Sequence, residues 1–201
     1  MSLSYRQIEA YSRQIILRDF SGASQERLLA ASMLIDGSGI AARTAATYLA
    51  GAGIGHLHIA PALLEPLLFG ELGQRNEDTL VHATAPDTSP DVVILTAADN
   101  PPNLPRLGYI LVDQDRRGDT HLTRLPAESS LAACPACFPR ETSDTLDPAA
   151  AAIAGSLAAL TAIRWIAEIG ETEPPARQTL VRGGSIFETA PFQPKKPCEC
   201  P

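Results

Sequence analysis

The chain has 201 residues and a formal net charge of −7, with 45% hydrophobic and 19% charged residues. This is the composition of a globular protein that can bury a real core, and we expect a single domain. The acidic balance argues against nucleic acid and against an anionic membrane surface as partners.

The N-terminal part is predicted to be a helical arm over residues 1–31. The pattern over 5–18 places Tyr11 and other apolar residues on one side of a helix, and a second short helix is expected over 25–31. No apolar run of the secretory type lies in residues 1–20, so we expect a cytoplasmic protein.

A strand, a glycine turn and a long alanine-rich helix are predicted over 33–55. The apolar run 33–35 ends at Gly37 and Gly39, where the helical pattern begins. Backbone N–H groups and the positive end of a helix dipole would meet at this turn, which suits a phosphate. Glycines at this spacing also occur in turns for steric reasons alone, so a nucleotide loop and a plain tight turn both remain open.

Further short strands are predicted along the chain, with a hairpin near its end. The β-branched run over 91–96 is typical of a central strand in a parallel sheet. The connection over 60–78 shows no clear pattern and is expected to be irregular. The other predicted strands cover residues 57–59, 80–83, 109–112, 120–125, 178–182 and 186–189.

The most apolar stretch, 148–169, is predicted to be a helix capped by Asp147. It contains Arg164 and Glu168 among many alanines. We interpret it as a buried or interface helix and expect no membrane span.

Four cysteines form two tight pairs, Cys134 with Cys137 and Cys198 with Cys200. Two pairs of thiolates fit the four positions of a tetrahedral structural zinc ion, although the single-residue gap in the second pair strains a shared site. In a reducing compartment, metal or redox use is favoured over disulfides. We favour structural Zn²⁺, and the alternatives are a redox-active first pair and unused thiols.

Asp99 follows the 91–96 strand, at the edge where open α/β sheets bind their ligands. Asp-Asn-Pro-Pro forms turns by itself, so one interpretation is a turn-forming residue. The other is a carboxylate for magnesium or a phosphate site, facing the glycine turn.

The four histidines are His56, His58, His82 and His121. None has a cysteine or carboxylate at ligand spacing. An alternating pair such as the first two is more often surface cover than a metal site, and we assign the histidines no role.

Several stretches occur in an order that is found in one family. They are residues 11–17 (YSRQIIL), 25–28 (QERL), 34–39 (LIDGSG), 48–55 (YLAGAGIG), 98–100 (ADN), the two cysteine pairs and 154–157 (AGSL). Together they resemble the ThiF/MoeB/HesA family of ubiquitin-activating-type adenylyltransferases. The match is nearly gap-free over residues 11–59.

The resemblance implies a fold. It implies an α/β protein with a Rossmann-like, mostly parallel sheet of ThiF type over 32–125. A zinc-knuckle loop, a late helix and a C-terminal hairpin and tail would follow over 126–201, within the same domain. The four cysteines would match the zinc site of the family.

The resemblance also implies a chemistry. MgATP would bind at Gly37 and Gly39, and Asp99 would serve magnesium and the reacting carboxylate. Arg13 would reach the phosphates of the ATP bound by the neighbouring subunit of a homodimer. The enzyme would adenylate the C-terminal Gly-Gly of a ubiquitin-like or sulfur-carrier protein.

The chain departs from the family at its nucleotide ligands. Ile40 and Ala42 replace two further glycines, and a branched side chain at position 40 crowds the approach of phosphate to the backbone. The acidic pair that holds the ribose falls on Pro61 and Leu63. No lysine precedes Lys195, and arginine is not an equivalent replacement for the phosphate-binding lysine of the family.

We therefore interpret the chain as a shortened, degenerate family member. It would act as a non-catalytic or weakly active partner of a carrier protein, as a homodimer or beside an intact family member. The alternative is an active adenylyltransferase of a molybdopterin- or thiamin-type pathway that uses Gly37, Gly39, Arg13 and Asp99 and borrows its missing groups from a partner subunit. A third reading is a small-ligand protein with a remodelled pocket.

Overall fold

The computed structural model describes residues 2–60, 66–96, 105–115, 118–127, 147–170, 176–182 and 185–191. Its helices are α1 (Tyr5–Ala10), α2 (Ser12–Ile15), α3 (Gly22–Ala30), α4 (Gly39–Ala52), α5 (Pro66–Arg75) and α6 (Pro148–Ala167). Its strands are β1 (Ser32–Gly37), β2 (His56–Ile59), β3 (Leu80–His82), β4 (Val92–Thr96), β5 (Gly108–Gln114), β6 (Thr120–Pro126), β7 (Arg177–Arg182) and β8 (Ser185–Pro191).

The eight strands form one mixed sheet in the order β3-β2-β1-β4-β5-β6-β7-β8. The pairings from β3 to β5 are parallel, and those from β5 to β8 are antiparallel. All five residues of β4 are buried, which confirms the central strand predicted from its β-branched run. The predicted α/β class is therefore confirmed, whereas the sheet, expected to be mostly parallel, is mixed, with four parallel and three antiparallel pairings.

The helices pack against one face of this sheet. Successive strand residues point to opposite faces, and one set joins buried residues of α3, α4, α5 and α6 in the main core. Helices α4 and α6 pack closely, since a side chain on Gly155 would overlap the carbonyl of Ala41. The alanine-rich sequences of both helices are therefore explained by this close packing.

The other face of the sheet carries a separate apolar cluster. Its members are Leu34, Val93, Leu95, Tyr109, Leu111, Leu125 and Ala176. Within the part of the chain that the structure describes, no helical residue belongs to this cluster. The described helices therefore cover one side of the sheet only.

Two predictions about helices were wrong. The single helix expected over 5–18 is broken at Tyr11, whose backbone (φ −99°, ψ 12°) leaves the helical region while its side chain is buried. The connection expected to be irregular contains α5, which begins at Pro66, a residue favoured in the first turn. Its buried Leu72 packs in the main core and offsets the cost of two helical glycines.

The long apolar helix was predicted correctly. Asp147 accepts hydrogen bonds from the backbone N–H groups of Ala149 and Ala150, at 3.0 and 3.1 Å, and so caps α6. The helix is the one among the described residues that is long and apolar enough to cross a membrane. It packs instead on α4, α3 and the sheet, with its small residues inside.

Candidate nucleotide turn and N-terminal arm

The glycine turn between β1 and α4 is closely packed against the end of β4. Gly37 has φ +125°, and it is paired in register with Thr96. Any side chain on Gly37 would overlap the Thr96 carbonyl group. Only glycine satisfies both conditions, so the first glycine of the motif has a steric reason that is independent of any ligand.

Two hydrogen bonds hold the turn in place. The Ser38 N–H donates to the Thr96 carbonyl at 3.3 Å, and the Thr96 hydroxyl donates to the Ser38 carbonyl at 3.0 Å. Thr96 is itself buried and is the last residue of β4. The turn is therefore rigidly tied to the sheet edge that Asp99 would follow.

The N-terminus of α4 is open. Ser38 occupies the capping position but its side chain caps no backbone N–H group. Gly39 has φ +88°, and a side chain built there would meet no atom of the described residues within 4 Å. Within the described part of the chain, the Ser38 side chain therefore leaves the first backbone N–H groups of the helix uncapped, and N–H groups at a helix N-terminus suit an anion.

Ile40 lies in this open space, whereas Ala42 does not. Ile40 is the second residue of α4 and its side chain is 41% exposed. Ala42 is fully buried in the main core. The isoleucine at position 40 therefore changes the surface where phosphate would approach. The alanine at position 42 only fills the core.

The N-terminal arm is anchored at the opposite end of α4 by Tyr11. Its hydroxyl lies 2.9 Å from Asp78 Oδ2, to which it donates, and accepts from Asn76 Nδ2 at 2.9 Å. Burial is the main cause that raises the pKa of Tyr11 to about 12. Arg6 forms ion pairs with Glu77 and Asp78 beside it.

The pKa of Asp78 is lowered overall. Burial alone would raise it, but the hydrogen bonds from Gln7, Tyr11 and Arg6 outweigh that effect. Asp78 is therefore the ionised acceptor on which three side chains of the arm converge.

Three residues of the recognised sequence motifs meet at this anchor. Gly53 has φ +85°, and its lack of a side chain leaves room for the Tyr11 hydroxyl and for Gln25 Nε2. A Cβ atom on Gly53 would lie only 2.6 Å from the hydroxyl and 2.9 Å from Nε2. Gln25 Nε2 donates to the Ala52 carbonyl at 3.0 Å and is completely buried. These motif residues therefore hold the arm against the core, a scaffold role that the sequence alone did not reveal.

The structure does not bring Arg13 to the glycine turn of its own chain. Arg13 is exposed on α2, two residues after Tyr11. The arm lies at the C-terminal end of α4, and the turn lies at its N-terminal end, about 20 Å away for a helix of this length. If Arg13 serves a nucleotide, the nucleotide belongs to another subunit.

Several predicted site residues lie outside the described part of the chain. They are Asp99, Cys134, Cys137, Cys198 and Cys200, together with Pro61 and Leu63. Among the residues that are described, no group of three histidine, cysteine or acidic side chains is arranged around a metal. The magnesium carboxylate and the zinc site therefore stay predictions.

Comparison with known proteins gives a short match in sequence and a long one in structure. No family model matches the chain. The heterocyst HesA protein of Trichormus variabilis is 46% identical over 57 residues, which are 28% of this chain and 21% of HesA. The adenylyltransferase and sulfurtransferase MOCS3 of Culex quinquefasciatus is 44% identical over 57 residues, 28% of this chain and 13% of MOCS3. The matched part is thus a small fraction of these curated relatives.

One of the matches in structure is with E. coli MccB, at a TM-score of 0.66 and 14% identity. It covers 96% of this chain and 74% of the MccB chain. MccB, a microcin C7 biosynthetic enzyme, has been crystallised with ATP and with N-formylated MccA. At this identity the likeness establishes the fold alone.

Proposed function

We propose that this chain, a member of the ThiF/MoeB family, is a non-catalytic or weakly active partner in the activation of a ubiquitin-like or sulfur-carrier protein. This chain keeps the scaffold of the family but departs from it at residues that would bind the nucleotide. Adenylation would be carried by an intact family member, and this chain would bind that enzyme or the carrier.

Ile40 is the observation that carries this proposal. The rigid turn and the open N-terminus of α4 are geometrically fit for a phosphate, but an exposed branched apolar side chain lies on the second residue of the helix. A triphosphate that bound there would lose water next to an apolar group that returns no hydrogen bond. We therefore expect MgATP to bind weakly or not at all.

The arm supports a role in binding another subunit. Ile16 and Leu17 are 79% and 59% exposed and follow directly after α2, which carries Arg13. Exposed apolar side chains on an anchored segment suit a protein interface with a polar rim. The partner would be a second copy of this chain or an intact family member.

Structural zinc is part of the proposal. Four thiolates, Cys134, Cys137, Cys198 and Cys200, form the donor set that zinc prefers in structural sites. The ion would hold the loop and the tail together without taking part in the reaction. A cytoplasmic location is proposed with it, because cysteines stay reduced and able to bind a metal ion in a reducing compartment.

The experiment that tests the proposal is calorimetric titration of the zinc-loaded protein with MgATP. We expect no binding at micromolar concentrations for the natural sequence. We expect Ile40→Gly to strengthen binding at least tenfold, because it removes the apolar group from the open helix end. Ile8→Gly is the matched control, since Ile8 is also an exposed isoleucine on a helix and lies in the arm.

The alternative, an active adenylyltransferase, predicts a different result. The natural protein would then bind MgATP at micromolar concentration, and Arg13→Ala and Asp99→Ala would both weaken that binding. Transfer of AMP to a carrier that ends in Gly-Gly would confirm it. If the protein binds neither such a carrier nor an intact family member in sedimentation experiments, the partner role is wrong.

A further inference from the structure

Three histidines lie together on strands β2 and β3, away from the glycine turn. His58 and His82 are opposite each other in the parallel pairing, and His56 is two residues before His58. The alternating residues Leu57 and Ile59 point into the main core, so the histidines lie on the other face of the sheet. The strand β3 is the edge of the sheet, and the group is therefore at the molecular surface.

The three rings are in contact. The rings of His58 and His82 stack with centroids 4.5 Å apart, and those of His56 and His82 with centroids 5.4 Å apart. His56 Nδ1 and His82 Nε2 form a hydrogen bond at 3.1 Å, in which the tautomers decide which ring donates. The spacing of the histidines along the sequence does not reveal this group, because His82 lies on a different strand from His56 and His58.

The neutral form of the His82 ring is favoured. Burial, and then the positive charges that His58 and His56 would carry, lower the pKa of His82. His58 Nδ1 lies 2.9 Å from the Thr84 carbonyl oxygen. A carbonyl can accept a hydrogen bond but cannot donate one, so the proton of this hydrogen bond is on Nδ1. His58 Nε2 is then left with its lone pair. A backbone carbonyl in this position is the usual support of a metal-binding histidine.

We propose that His56, His58 and His82 bind a divalent transition metal ion of the zinc, nickel and copper group. Imidazole nitrogen is a preferred ligand of these ions. Two nitrogens bound to one tetrahedral zinc lie about 3.3 Å apart. A metal ion that replaces the proton shared by His56 Nδ1 and His82 Nε2 would therefore change the separation of these two nitrogens little. This site is distinct from the zinc site proposed for the four cysteines.

Metal binding requires a change of ring orientation. In the structure the rings stack, and no three metal-binding side chains of the described residues already converge on one point. His56 is exposed and His82 is half-buried, so these two side chains can rotate at the surface. Thr84 would keep His58 oriented during that change.

The test uses protein whose cysteines have first been loaded with one equivalent of zinc. Imidazole nitrogen resonances are followed by NMR while further Zn²⁺ is added. We expect the signals of His56, His58 and His82 to shift together and to saturate near one added equivalent. The signal of His121, which is paired with Asp115 on another part of the sheet, should stay in place.

Calorimetry with Zn²⁺ and with Ni²⁺ measures the affinity of the site. His82→Ala should weaken binding at least tenfold, and His121→Ala should leave it unchanged. Stationary signals of the three histidines, or equal affinities of the two variants and the natural protein, would show that the rings are only a packed surface group. The NMR experiment needs no variant, so the result does not depend on how well a variant folds.

Discussion

Gly155→Ala is expected to destabilise the protein by about 2 kcal/mol, although alanine is the better helix former. A side chain on Gly155 would overlap the backbone of Ala41 in α4, and backbone cannot move aside as a flexible side chain can. An overlap with backbone lies at the upper end of the cost of overpacking, about 3 kcal/mol, and the gain in helix propensity returns about 1 kcal/mol. The free energy of unfolding in urea measures the difference.

Gly51→Ala provides the matched control for this substitution. Gly51 is also a helical glycine, on the exposed side of α4, and a side chain built there meets nothing within 4 Å. We expect it to stabilise the protein by about 0.5–1 kcal/mol through helix propensity. Opposite signs for the two variants support the close packing of α4 and α6. A shift in the same direction for both would contradict that packing.

The sheet could be predicted from the sequence because its strands are short apolar runs with turn signals around them. The run at 91–96 is recognisable as β4 without any other information, and its neighbours were placed within a few residues. The helix α5 could not be predicted, since Gly70 and Gly73 lower its propensity. Its stability comes from the burial of Leu72, which depends on the packing of the whole domain.

The candidate site was predicted in part. The motif placed Gly37 and Gly39 at the turn, and the structure agrees. The sequence could not show that Thr96 holds this turn, because that contact depends on the register of β4 against β1. Nor could it join Tyr11 to Asp78, which is 67 residues further along the chain. Local patterns identify elements, whereas long-range contacts need the fold.

Asp78→Ala is the second substitution for which we expect a large effect. It removes the common acceptor of the hydrogen bonds from Gln7, Tyr11 and Arg6. Loss of a charged, largely buried acceptor costs about 2 kcal/mol, because the Tyr11 hydroxyl loses its carboxylate partner and keeps only the neutral acceptor Asn76 Oδ1, at 3.1 Å. We expect α1 and α2 to detach, and trypsin to cut after Arg13 faster than in the natural protein.

The dependence on pH follows from the same contacts. The pKa of Asp78 is lower in the folded state than in the unfolded state, so the ionised carboxylate stabilises the fold. This stabilisation is fully present above the unfolded-state pKa of about 3.9. It is lost as the pH falls through the lower pKa of the folded state. The natural protein should therefore lose more stability than Asp78→Ala when the pH is lowered through this range. Urea unfolding at a series of pH values measures the difference.

Glu77→Ala separates the anchor from a surface ion pair. Glu77 is the neighbour of Asp78 and also pairs with Arg6, but its side chain is 71% exposed. A pair of that kind contributes little, so we expect this variant to keep the stability and the trypsin resistance of the natural protein. If the two variants behave alike, Asp78 does not anchor the arm. If only Asp78→Ala releases the arm, the Asp78 contact holds Arg13 and the exposed Ile16 and Leu17 in place. That contact lies at the end of α4 opposite to the glycine turn. An arm that serves another subunit requires such an anchor.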